Sequence, residues 1–235
     1  MALSTRITPY LLLLAALPIL WSLRYTIYII RRNWGHGEDR RYQAIRGNVS
    51  ESGWPLYALR VVFLNQGLAM LLVAAPLWVA MATGGDQSPA DPIIVDIKYQ
   101  AYIRHFSIIG TFIWLIGFLF EAVGDFQLSR FIARRKELGA EITGKVMDTG
   151  LWRYSRHPNY FGNVVMWWGI WLVACQAPWG WATIISPLFM TLALVKLTGA
   201  EHLERDMSKR PESKEYMKRT SMFIPLPPKK EFPKK

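Results

Sequence analysis

The stretch "GLWRYSRHPNYFGN", residues 150 to 163, sets Trp152, Arg153, Tyr154, Arg156, His157, Asn159 and Tyr160 close together. It runs directly into "VVMWWGIWLVA", a segment with the look of a membrane span. Arginine presents a planar fork suited to phosphate and pyrophosphate. Asparagine and carboxylates take amide or ribose hydroxyl hydrogen bonds, and bulky aromatics can wall a flat ring. Groups of the same kinds stand elsewhere in the chain. Glu121 and Asp125 are one helical turn apart and share a face. Arg130, Arg134 and Arg135 follow them, then Lys145 and Asp148; later come Glu201, His202, Glu204, Arg205, Tyr216 and Arg219. The plain alternative is a set of interfacial anchors, with arginines snorkelling and Trp and Tyr in an aromatic belt. Anchoring accounts for a single residue such as Arg134 or Arg135. It does not account for Glu121 and Asp125 beside cationic groups, or for Asn159 next to Pro158. The combination predicts a pocket for a large anionic, ring-bearing ligand, set between helices that also touch lipid.

The elements that position these residues are apolar blocks. Of the 235 residues, 51% are hydrophobic and 14% aromatic, and the charges lie between the blocks rather than along half-buried faces. A span needs about 20 mostly apolar residues, and in lipid it must satisfy its own backbone, so each block is expected to be a helix. Five spans are expected: about 9 to 30, with Arg24 as its one charge; about 55 to 82; about 104 to 124; about 161 to 175; and about 179 to 197. The predicted class is therefore all-α, a polytopic transmembrane bundle. The fourth span is the shortest and reads equally as part of a tilted or interrupted hairpin.

Lysine and arginine set the expected orientation. Arg31, Arg32, Arg40, Arg41 and Arg46 lie between spans one and two, and the segment between three and four and the C-terminal tail are also basic. Between spans two and three stand Lys98 and Arg104 against Asp86, Asp91 and Asp96, and "QAP" before span five is uncharged. This alternation predicts the N-terminus outside and the C-terminus in the cytoplasm, with the candidate pocket facing the cytoplasm.

The net charge of +11 is explained by that topology, and no nucleic-acid partner is expected. The last lysines, Lys229, Lys230, Lys234 and Lys235, suit anionic headgroups of membrane lipids. A single cysteine, Cys175, excludes an internal disulfide and a thiolate metal set. His36, His105, His157 and His202 lack metal-ligand spacing, so no metal is expected. No strand leads into a GxGxxG turn, which excludes a soluble dinucleotide-binding domain. Oligomeric state is not legible.

At "GKVMDTGLWRYSRHPNYFGN", with "FEAVGDFQLSRF" before it, "GHGEDRRYQAIRGN" nearer the start and "EYMKRTSMFIPLPPK" near the end, the chain resembles the uncharacterised DUF1295-like membrane proteins. These are grouped with the steroid 5-alpha-reductase C-terminal domain, in a superfamily that also holds sterol reductases and isoprenylcysteine carboxyl methyltransferases. The resemblance covers roughly residues 35 to 228. It implies spans and a basic loop over 1–100, a reductase-like membrane domain over 101–228 and a basic tail over 229–235. In the reductase branch it implies NADPH, with Asp125 matching an acidic residue at the cofactor. Glu121 stands where the steroid reductases have Asn. Asn159 matches the Asn of their "NFFGE", continued by Tyr160, Phe161 and Gly162. Arg130 or Arg134 corresponds to an arginine near the phosphates, and Tyr216 and Arg219 fall in a similar C-terminal stretch. Together with Arg153, Tyr154, Arg156 and His157, these are the candidate cofactor residues.

The departures from that pattern are specific. "FLNQG", Phe63 to Gly67, resembles the steroid reductases' "FLQE" and puts Gln66 where they carry the catalytic Glu. Glutamine can hydrogen-bond a carbonyl but is no general acid. Asn163 replaces a Glu, and Tyr99 and Tyr102 are weak candidates for the family's catalytic Tyr. The leading expectation is an NADPH-dependent reductase of a conjugated C=C bond in a lipophilic substrate, with Gln66 and Asn65 polarising the carbonyl and Asn163, Glu201 and Glu204 toward the substrate. The first alternative is a methyltransferase using S-adenosylmethionine, held by His157, Asn159, Glu201 and Glu204. The second is a non-catalytic lipid-binding membrane protein.

Overall fold

The computed structural model describes residues 8–35, 37, 43, 46–47, 49–84, 97–139, 146–197 and 199–229. The greater part of the "GHGEDRRYQAIRGN" loop, the acidic residues Asp86, Asp91 and Asp96, Lys145 and the tail after Lys229 lie outside these, as do the side chains of Lys98, Tyr99, Tyr102 and His202.

The first helix, α1 (Pro9–Asn33), starts where Thr8 accepts a hydrogen bond from the Leu11 amide at 3.3 Å and Pro9 opens the first turn. It ends in Arg31 and Arg32, which complement the helix dipole. The next, α2 (Trp54–Val73), is under-wound into π-helical geometry over Ala58–Leu64. It stops at Ala74, and α3 (Ala75–Gly84) continues the chain. The expected single span over 55 to 82 is therefore divided. Pro76 is the reason: it has no N–H to give, and its ring would clash with the Leu72 carbonyl in a continuous helix. Side chains meet the carbonyls on either side of Leu72 at the break. Trp78 Nε1 donates to Leu71 O at 3.1 Å, and Ser186 Oγ donates to Val73 O at 2.5 Å.

Helix α4 (Ile97–Leu138) is the longest. From Arg104 to Leu138 it has 35 residues, about 52 Å at 1.5 Å per residue, so it outruns a hydrocarbon core of about 30 Å. Its last part carries Arg130, Arg134, Arg135 and Lys136. Helix α5 (Pro158–Ala174) packs antiparallel against it along a seam of glycines. Gly110 opposes Gly169 and Gly117 opposes Gly162; a Cβ on Gly117 would lie 2.5 Å from the Gly162 carbonyl oxygen. Without a hydrophobic drive between helices in lipid, such close backbone approach is what holds them together. A 3-10 turn, Gly180–Ile184, leads into α6 (Ile185–Leu192), and the whole segment Gly180–Leu197 is span-like. The short helices α7 (Ala200–Ser208) and α8 (Pro211–Arg219) follow.

The protein is an all-helical, polytopic membrane bundle, as its hydropathy predicts. Four helices among the described residues are long and apolar enough to cross a membrane: α1, α2, α4 and α6. The expected fourth span is α5, whose 17 residues fall a little short of that length. It is nonetheless central. Met166, Ile170, Val173 and Ala174 pack with Leu14, Leu17, Ala80 and Trp114 in the buried core. Among the described residues no strand forms, and a single isolated bridge joins Ser155 to Ser221.

Candidate functional site

Two buried polar clusters flank the start of α5. The first is built on α4. Glu121 and Asp125 project from one face, each 3% exposed, toward α1 and α5. From α1, Arg24 Nη1 donates to Asp125 Oδ2 at 2.6 Å and its Nη2 pairs with Glu121 Oε1. Trp21 Nε1 donates to both oxygens of Glu121, at 3.0 and 3.1 Å. From α5, Asn159 Nδ2 donates to Asp125 Oδ1 at 3.1 Å and Asn163 Nδ2 to Glu121 Oε2 at 2.9 Å. Every carboxyl oxygen thus accepts a donor, as buried polar atoms require. Two polar atoms in the same cluster are buried without a partner, Arg24 Nε and Asn163 Oδ1.

The local sequence explains the arrangement. Gly124 lets α5 begin close by, since a Cβ there would meet the Asn159 amide at 3.3 Å. Pro158 opens α5, so Asn159 and Asn163 lie one turn apart and face the two carboxylates. Before α5 the chain is pinned to α4: Trp152 Nε1 donates to Gly124 O at 3.0 Å, and the Leu151 amide donates to Gln127 Oε1 at 3.0 Å. The turn at Gly150 has φ +62°, and a side chain there would strike Gln127 at 2.4 Å.

The second cluster ties the C-terminal segment to the "RYSRHP" stretch. Arg156 grips Glu204 of α7 through Nε and Nη2, and its Nη1 donates to the Met217 and Thr220 carbonyls at 2.7 and 2.5 Å. His157 Nε2 lies 2.9 Å from Glu204 Oε1, and its ring stacks on Tyr160 at 5.6 Å. Tyr216 donates to the Trp152 carbonyl at 2.6 Å. Burial tends to raise the Glu204 carboxyl, but the hydrogen bonds from His157 and Arg156 and the charge of Arg156 outweigh it and hold the group below the usual carboxylate range. Burial pushes the Tyr216 hydroxyl up.

The residues singled out from the sequence therefore fall into three sets. Glu121, Asp125, Asn159 and Asn163 meet in the first cluster. Arg156, His157, Glu204 and Tyr216 meet in the second, where their polar atoms bind the protein itself. The rest are separate. Arg130 is exposed, with its guanidinium 5.7 Å from the centre of the Phe126 ring, and Arg134, Arg153 and Tyr154 are exposed. Arg219 pairs with Asp148, and Glu201 with Lys196. Asn65 and Gln66 are exposed on α2, where Asn65 Nδ2 donates to its own helix at Val61 O, 2.9 Å away. Neither is among the side chains around Glu121. The residue the sequence reading left out is Arg24, the cation between the two carboxylates. Its signal was present: a lone charge within an apolar span is a functional candidate by default.

The fold and this cluster define a polytopic helical membrane protein with a buried ionic site between α1, α4 and α5. The chain belongs to the DUF1295 family of proteins of unknown function, whose pattern matches residues 1–220. It is also similar to an uncharacterised protein of Schizosaccharomyces pombe, 25% identical over 226 residues that take in 92% of this chain. The chain spans 63% of that relative's length. No solved structure matches it.

Proposed function

We propose that the protein is a membrane-embedded, NADPH-dependent reductase of a conjugated C=C bond in a lipophilic substrate, with its cofactor site facing the cytoplasm. The observation that carries this is the leftover pair in the first cluster, Arg24 Nε and Asn163 Oδ1. A buried donor and a buried acceptor without partners are costly, and a ligand amide or hydroxyl satisfies both. The residues present fit such a group on a nucleotide. Glu121, Asp125, Asn159 and Asn163 supply the amide and hydroxyl contacts, and the exposed Arg130, Arg134 and Arg153 supply cations for phosphates. Bound NADPH would supply a hydride for the β carbon of the double bond, and a proton from water completes the reduction at the α carbon. The chain's own part is to bind, orient and exclude water. The likeness of "NYFG", Asn159 to Gly162, to the "NFFGE" of the steroid reductases is in keeping with the same assignment.

A second possibility, binding of S-adenosylmethionine, has one observation in its favour. Two buried carboxylates face a single guanidinium, and the surplus negative charge suits a cationic ligand. Titration of the detergent-purified protein with NADPH decides. Saturable micromolar binding is expected, weakened by about 1 to 3 kcal/mol in Asn159→Ala, the order for a lost buried hydrogen bond. A flat titration, with S-adenosylmethionine recovered by mass spectrometry from gently extracted protein, would overturn the assignment.

A further inference from the structure

The stretch from Trp152 to His157 is held along its whole length by the C-terminal segment. Tyr216 Oη donates to Trp152 O at 2.6 Å, Thr220 Oγ1 to Arg153 O at 3.4 Å, and the Leu226 amide to Tyr154 O at 3.0 Å. Ser155 Oγ donates to Phe223 O at 2.7 Å, and the Arg156 amide to Ser221 O at 2.9 Å. Glu204 of α7 completes the series, taking Arg156 Nε and Nη2 and standing 2.9 Å from His157 Nε2. The stretch lies outside α-helix, between a 3-10 turn over Gly150–Arg153 and the start of α5 at Pro158. Buried backbone groups need partners, and here the C-terminal segment supplies them.

The start of α5 needs that support. His157 is its N-cap residue, and the His157 side chain makes no capping hydrogen bond. A helix start without a cap leaves its first amides unpaired and frays readily. Asn159 belongs to this first turn, and its Nδ2 donates to Asp125 Oδ1 at 3.1 Å. Phe161 in the same turn meets Phe120 of α4 and Phe223 of the C-terminal segment edge-on, at 5.5 and 5.8 Å between ring centres. Asn163 stands one turn deeper. It follows Gly162, whose close approach to Gly117 fixes the helix there without the C-terminal segment.

We infer that Glu204 is a positioning residue for the buried cluster on α4. Docked on Arg156 and His157, it fixes the first turn of α5 and so aims the Asn159 amide at Asp125. Asn163 and Glu121 keep their geometry without it. The second cluster thereby sets one half of the first, although Glu204 and Asn159 share no hydrogen-bond partner. The bearing on NADPH rests on the reductase reading; the coupling between the clusters requires no ligand.

Thermal unfolding of the full chain in detergent, without ligand, tests the coupling. Asn159→Ala is expected to lower the midpoint of the parent protein, and to lower that of Glu204→Gln by less than half as much. Asn163→Ala is expected to lower both equally. Equal drops for Asn159→Ala in the two backgrounds, the additivity usual for independent sites, would overturn the inference. So would a matching reduction for Asn163→Ala, which marks a general loosening of the fold. Should Glu204→Gln fail to fold, Tyr216→Phe removes a single hydroxyl from the same clamp and takes its place as the background, with the same outcomes. NADPH titration adds a second arm. Glu204→Gln should weaken binding several-fold, and Asn159→Ala added to it should weaken binding little further; full multiplication of the two effects would count against positioning. A parent protein that binds no NADPH overturns the reductase reading, and the ligand-free midpoints then decide the coupling alone.

Discussion

Arg156 holds Glu204 through two parallel hydrogen bonds, Nε to Oε1 at 3.0 Å and Nη2 to Oε2 at 2.6 Å, across 48 residues of chain. The pair is buried, and the remaining arm of the guanidinium takes two backbone carbonyls of the C-terminal segment. Removing one partner leaves a buried charge alone, a loss on the order of 3 to 5 kcal/mol. Arg156→Met is expected to release the segment after Ser208. Limited proteolysis of the detergent-solubilised protein checks it, with early cleavage beyond residue 208 in the variant and not in the parent.

The same pair gives a pH dependence with a definite sign. The Glu204 carboxyl is held below its ordinary value of 4.5 in the folded protein. Its contribution is therefore complete above that value and is lost as the pH falls through the lower, folded one. Attachment of the C-terminal segment should weaken only at acid pH, and Glu204→Gln should remove that part of the acid dependence. Hydrogen exchange of residues 211–229 between pH 3 and 7 checks it.

Arg24 predicts a different loss. Arg24→Met leaves Glu121 and Asp125 buried without a cation, again on the order of 3 to 5 kcal/mol. The triple variant Arg24→Met, Glu121→Gln, Asp125→Asn should recover much of it, because the charges vanish together. Lys196→Met, which breaks the half-exposed pair with Glu201, should cost less than about 1 kcal/mol. Thermal unfolding in detergent ranks the three.

The glycine seam is a steric prediction. Gly117→Ala and Gly162→Ala each put a methyl carbon 2.5 Å from backbone of the facing helix. The two helices must then separate, and overpacking of this kind costs about 1 to 3 kcal/mol or more. Gly67→Ala meets nothing and should be neutral or stabilising. The same melting curves separate the two outcomes.

The exposed arginines bear on the proposed cofactor. Arg130→Ala, Arg134→Ala and Arg153→Ala should each weaken NADPH binding more at low salt than at high salt, since exposed charges are screened over about 8 Å at physiological ionic strength. Calorimetric titrations at two salt concentrations would read this directly.

The bundle was legible because long apolar runs admit few structures in lipid. The division of the second span was also written in the chain, at Pro76, but hydropathy alone smooths over it. Glu121 and Asp125 could be paired by helical spacing, and Asn159 and Asn163 by the same rule. Arg24 could not be joined to them, because no periodicity connects residues about a hundred positions apart. The second cluster shows the opposite difficulty. Arg156, His157, Glu204 and Tyr216 have the chemistry of ligand-binding groups, and the same donors and acceptors serve to fasten one segment to another. Residue type alone does not separate these uses. Only the positions of Met217 O, Thr220 O and Trp152 O show that the polar atoms are already engaged.

The modest length of α5 bears on the surrounding leaflets. Seventeen residues make a rod of about 26 Å, set beside a neighbour roughly twice as long. Its polar ends, at His157 and beyond Ala174, fall inside a hydrocarbon layer of ordinary depth, about 30 Å. Where those ends meet lipid, the mismatch costs fractions of a kcal/mol for each Å. A layer thinner than about 30 Å is the closer match to a rod of this length.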